Sequence, residues 1–70
     1  MGVIWVARDM DKGDMQYAIF SSRPERCKLG FQSSNSGCIR IDVRNEIGVA
    51  AAGRKLTVLE CVEVVCSEVV

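Results

Sequence analysis

Val3-Ile4-Trp5-Val6-Ala7-Arg8, Asp9-Met10-Asp11-Lys12-Gly13-Asp14 and Met15-Gln16-Tyr17-Ala18-Ile19-Phe20-Ser21 follow one another without a break. The first and third segments are rich in β-branched and aromatic residues, and the second is an Asp/Gly cluster. Strand formers on both sides of such a cluster are the local signature of a β-hairpin. The hairpin carries the chain's single Trp and single Tyr. Gly13 suits the positive φ of a type I turn with a bulge. Asp9, Asp11 and Asp14 have a superficial likeness to a calcium loop. An EF-hand loop, however, needs Gly at its sixth position and Glu at its twelfth, where this chain has Asp14 and Phe20. The segment therefore reads as a solvated hairpin tip.

Side chains alternate across a strand, so Val3, Trp5 and Ala7 share one face of the first strand and Ile4, Val6 and Arg8 the other. In the second strand Met15, Tyr17 and Ile19 oppose Gln16, Ala18 and Phe20. Both faces are largely apolar. A sheet wetted on one side alternates apolar with polar, so this one either curls into a small barrel or has its second face covered by a partner.

Downstream, Pro24 cannot donate to a ladder, which ends the second strand by Ser22. Arg23, Arg26 and Lys28 form the chain's basic cluster, with Glu25 as a local counter-charge. Residues 29–37 hold two glycines, three serines and an asparagine and read as a loop. Phe31 at its head is either tucked into the core edge or an exposed contact residue. Cys38-Ile39-Arg40-Ile41-Asp42-Val43 alternates, with Ile39, Ile41 and Val43 expected inward and Arg40 and Asp42 in water. This is a half-exposed strand near a sheet edge. Residues 44–52 suit a helix of one or two turns, capped by Asp42 or Asn45 and ended by Gly53. Gly48 weakens that helix by roughly 1 kcal/mol relative to Ala. Residues 48–57 faintly resemble a phosphate loop, but Arg54 intervenes before Lys55 and Leu56 follows it, so the motif fails. In the Val-rich tail, glutamates at helical spacing compete with β-branched residues that resist a helix. A closing strand over residues 55–66 is the reading adopted.

The chain has 70 residues, nine basic and nine acidic, 49% of them hydrophobic. That length supports one small β domain over residues 1–70 with a small core. Zero net charge argues against a general nucleic-acid binder, which needs an excess of Lys and Arg. The absence of histidine removes the usual general base and every Ser/His or Cys/His pair, so an enzyme is not expected. Cys27, Cys38, Cys61 and Cys66 follow no secretory leader, and reduced thiols in a cytoplasmic protein are expected. Met1 reads as the start of a complete gene product. No apolar run reaches the length of a membrane span. Cys61 and Cys66 have a spacing zinc knuckles allow, but five residues along a strand place them on opposite faces. Neither metal nor cofactor is expected.

Ile4-Trp5-Val6-Ala7-Arg8-Asp9, the acidic hairpin, Tyr17-Ala18-Ile19-Phe20, Ser22-Arg23-Pro24 and Cys38-Ile39-Arg40-Ile41 together resemble the short accessory proteins of phages and mobile elements. The likeness is one of strand and turn pattern over the first two thirds of the chain. It implies a protein that acts by binding, for example an anti-CRISPR or anti-restriction inhibitor that blocks a host protein. The expected fold is mainly β, a small antiparallel sheet or barrel of about four or five strands with at most one short helix. Its expected activity is non-enzymatic protein binding, with Arg23, Arg26, Lys28 and Phe31 as candidate partner contacts. The rival expectation is a homodimer that covers the second apolar face, for example by pairing edge strands of the Val-rich tail. A small-barrel nucleic-acid binder stands third.

Overall fold

The computed structural model describes residues 2–10, 16–28, 30–33 and 39–66, and of Cys66 the backbone alone. The hairpin forms as its sequence predicts. Strand β1 (Gly2–Arg8) pairs antiparallel with β2 (Tyr17–Phe20), Trp5 opposite Phe20 and Arg8 opposite Tyr17. The Asp9 N–H donates to the Gln16 carbonyl at 2.6 Å and closes the loop end. Gly13, Asp11 and Asp14 lie outside the described residues.

Two short strands intervene in the region read as loop: β3 (Glu25–Cys27) and β4 (Gly30–Gln32) make a second antiparallel hairpin. They are followed by β5 (Arg40–Val43), helix α1 (Asn45–Ala52) and β6 (Cys61–Cys66). The main sheet has the order β5-β2-β1-β6 and every pairing is antiparallel. It is an open sheet with two edges, not a barrel. The closing strand exists, but it begins at Cys61 because residues 54–60 turn the chain back toward β1.

Helix α1 lies on the face of Ile4, Val6, Tyr17 and Ile19 and packs on β2, β1 and β6. Val6, Tyr17 and Leu56 are fully buried there, each removal from water contributing about 1.5–3 kcal/mol. Gly48 explains its own presence. A Cβ on it would sit 2.2 Å from Cγ of Tyr17, so the helix can lie this close only where its side chain is a hydrogen. Gly53 ends the helix in the left-handed conformation at φ 77°. The N-cap is Arg44, with no side-chain cap bond. The capping expected of Asp42 or Asn45 is corrected: Asn45 is already the first helical residue, and Asp42, two residues before the cap, accepts from Arg40. The Tyr17 hydroxyl accepts the Leu56 N–H at 2.8 Å, which satisfies a buried donor of the 54–60 turn.

The opposite face of the sheet, Trp5, Ala7, Ala18 and Phe20, is covered in part by the β3–β4 hairpin, whose Phe31 inserts against Ala7, Ala18 and Phe20. The chain itself therefore supplies a cover for the second apolar face, where a barrel or a partner was expected. The β5 expectation holds for Val43, which packs on the helix-side core, and is corrected for the isoleucines. Ile39 and Ile41 are 65% and 55% exposed, because α1 sits over the other three strands. Arg40 does not simply face water: it reaches the hairpin.

Candidate binding site

Asp9 was read as part of a solvated tip, yet it is only 3% exposed. Its carboxylate accepts the Phe31 N–H at 2.7 Å and forms an ion pair with Arg40. Arg40 also donates to the Phe31 carbonyl at 3.0 Å and to Asp42 at 2.8 Å. Side chains of two separate strand ends thus satisfy both backbone groups of Phe31, as a neighbouring strand would. Gly30, at φ 126°, lets β4 approach this carboxylate: a Cβ there would meet Asp9 Oδ1 at 2.6 Å. The clamp fixes the hairpin over the sheet at the β2 and β5 side.

Toward β6 the cover is incomplete. A pocket of about 300 Å3 opens there, lined by Trp5, Arg23, Pro24, Arg26, Phe31, Leu59 and Cys61. β1 supplies Trp5, β6 supplies Cys61, and the hairpin with its leading segment supplies Arg23, Pro24, Arg26 and Phe31. The Arg23 guanidinium stands 5.7 Å from the Trp5 ring centroid, a cation–π contact worth about 0.5–1 kcal/mol where exposed. Among the described residues no carboxylate lines the pocket. Val3 and Val65, paired across β1 and β6 and both exposed, share the face of Trp5 and extend its apolar surface past the pocket.

Leu59 lines the same pocket with a positive φ of 62°. That conformation costs a branched residue about 1–2 kcal/mol. The surrounding turn holds it: Leu59 N–H donates to Arg8 C=O at 2.8 Å, and Glu60 N–H to Thr57 C=O at 3.1 Å. The Glu60 carboxylate accepts the Thr57 N–H at 2.9 Å and pairs with Arg54. The Arg54 hydrogen bond, then the Thr57 backbone, hold the Glu60 carboxyl down at about 2.

Of the candidate contacts, Arg23, Arg26 and Phe31 come together at this pocket, Phe31 as a buried part of its wall and the arginines exposed. Lys28 is exposed in the turn after β3 and does not line it. Trp5, Pro24, Leu59 and Cys61 escaped the sequence reading. Trp5 carried a usable signal, as the single Trp on an apolar strand face. The left-handed Leu59 carried none. Burial pushes the Cys61 thiol up, against the smaller opposing pull of the Arg23 charge. The Sγ of Cys27 lies 3.1 Å from the Gly30 carbonyl as a donor. Cys38 lies outside the described residues. Among the described residues no cluster of His, Cys, Asp or Glu could hold a metal, and no helix is long and apolar enough to cross a membrane. No family model, curated protein or solved structure matches this chain.

Proposed function

We propose that the protein is a non-enzymatic binding module, a phage or mobile-element accessory protein that inhibits or modulates a host protein by occupying its surface. The contact is the pocket beneath the β3–β4 hairpin. One observation carries this reading: Trp5, Arg23, Arg26 and Phe31 surround a single opening about 300 Å3 in volume. Aromatic residues and arginine around a desolvated centre are the residues that dominate binding energy at protein interfaces. An apolar side chain of the partner fills the pocket or rests on Val3 and Val65, with the exposed arginines at the rim.

The available chemistry supports binding over catalysis. The chain has no histidine. The nucleophile at the pocket, Cys61, keeps its proton near neutrality because burial disfavours its thiolate. The phage or mobile-element setting rests on the resemblance alone.

The test is affinity capture from a bacterial lysate, with and without nuclease, with wild-type protein beside the double variant Arg23→Glu, Arg26→Glu. Wild type is expected to retain one stoichiometric protein and the variant to lose it. Equal capture by both proteins removes the pocket from the account, and loss of the captured material on nuclease treatment replaces a protein partner with nucleic acid.

A further inference from the structure

β5 is an edge of the main sheet, and its outward groups can be assigned from the ladder. The Asp9–Gln16 bond fixes the parity of the β1–β2 pairing, so residues 16, 18 and 20 bond to β1. The Arg8 N–H to Glu60 C=O bond, at 2.9 Å on the other side of β1, agrees with that parity. Tyr17 and Ile19 therefore bond to their β5 partners Val43 and Ile41. The N–H and C=O groups of Arg40 and Asp42 are left pointing to the open edge. The strand is short and carries two charges, but it has no Pro, no Lys and no bulge. On its helix side Ile39 and Ile41 are uncovered.

We propose that β5 pairs antiparallel with β5 of a second copy of this chain, about a two-fold axis at Ile41, to give a continuous sheet across the dimer. Charge complementarity selects this occupant and this register. With the axis at Ile41, Arg40 of each copy faces Asp42 of the other as a hydrogen-bonded pair, and the two Ile41 residues face each other at the closer, non-hydrogen-bonded position. Ile39 then faces Val43 of the second copy, so the exposed isoleucines form one apolar strip. Moving the axis to Asp42 sets Asp42 against Asp42 and Arg40 against Arg44. Moving it to Arg40 sets arginine against arginine. Like charges directly opposed are destabilising. The opposite edge offers no such match, since Glu63 is the one charged residue of Cys61–Cys66 and finds no opposite charge in a second copy of β6. The proposal thus takes β5 as the pairing edge in place of the Val-rich tail. β6, which supplies Cys61 to the pocket, is the far edge of the sheet, so the dimer presents two accessible pockets.

The interaction is independent of the pocket, and its test uses no partner. Sedimentation velocity is run over a concentration series on wild type, Ile41→Lys and Asp42→Arg, together with amide exchange at low and high concentration. Asp42→Arg opposes arginine to arginine across the axis, and thermal melts confirm that each variant folds. The expected result is a wild-type dimer at high concentration and loss of the dimer in both variants. The Arg40 and Asp42 amides exchange several-fold more slowly as wild-type concentration rises, and the Glu63 and Val65 amides do not change. A wild type monomeric throughout overturns the proposal, as does a dimer that persists in both folded variants. Slowed exchange at Glu63 and Val65 in place of Arg40 and Asp42 overturns it in favour of the β6 edge.

Discussion

The two faces of the sheet are closed by different physics. The helix face is dry and tight: Val6, Tyr17 and Leu56 are fully buried, and α1 approaches until Gly48 touches the Tyr17 ring. The other face is closed by a hairpin of two three-residue strands. One inserted ring, Phe31, and one polar clamp of Asp9 and Arg40 hold it. That clamp acts on one side only, so the other side opens into the pocket. Apolar packing spreads stabilisation over many contacts, whereas a clamp concentrates it in two side chains. A small domain that must fold and also present a binding surface can use the first for stability and the second for access.

The largest expected effect tests the helix face. Gly48→Ala should raise helix propensity by about 1 kcal/mol. The added Cβ would overlap the Tyr17 ring, and forcing α1 off the sheet should cost about 3 kcal/mol. A net loss of roughly 2 kcal/mol is expected, read as a lower thermal midpoint with amide protection falling across the whole sheet. An unchanged or raised midpoint would mean that the close approach of α1 to Tyr17 contributes nothing.

An effect of comparable size, but confined to the hairpin, tests the other face. Asp9→Ala removes the acceptor of the buried Phe31 N–H and the partner of Arg40. Arg40 keeps Asp42 and is a third exposed, so the cost is set at about 2 kcal/mol rather than the larger value of a fully buried broken pair. The loss should be local. Amides of residues 25–32 should exchange quickly and Trp5 emission should shift to the red, while β1 and β2 keep their protection. Uniform loss of protection would show that the two faces unfold as one unit and that the contrast between them has no energetic meaning.

The smallest effect sharpens the pocket rim. Glu60 titrates at about 2 in the folded chain, below the ordinary glutamate value of 4.5. A depressed carboxyl contributes stability that is fully present above its ordinary value and is lost as pH falls from about 4.5 through about 2. The 54–60 turn, with its strained Leu59, should therefore loosen in acid. Glu60→Gln should remove that step from the acid dependence of the thermal midpoint. An identical acid profile in both proteins would detach Glu60 from the turn.

Several elements were legible in order and type because their signals are local. The β1–β2 hairpin announces itself through strand formers around an Asp/Gly cluster, and Gly53 through its place after a helical stretch. β5 was placed correctly at an edge. β3 and β4 were hidden: each is three residues long, next to Pro24 or inside a Gly/Ser-rich segment, and the clamp that holds them joins residues distant in sequence. The candidate site was half legible. Arg23, Arg26 and Phe31 stood out by charge and by their setting in a loop. Trp5, Leu59 and Cys61 are distant in sequence and meet the others only in the folded chain.

Alternation and residue type by themselves determined that this is a small mainly β chain whose first two strands are apolar on both faces. They could not determine what covers each face. Gly48 looked like a defect in a helix, and only the position of Tyr17 makes it a requirement. Asp9 looked like one of three solvated acids, and only the arrival of Phe31 and Arg40 makes it a buried clamp. Local propensity depends on neighbours a few residues away. A buried carboxylate or a side-chain-free helix face is fixed by partners many residues distant, and the tertiary structure alone brings those together.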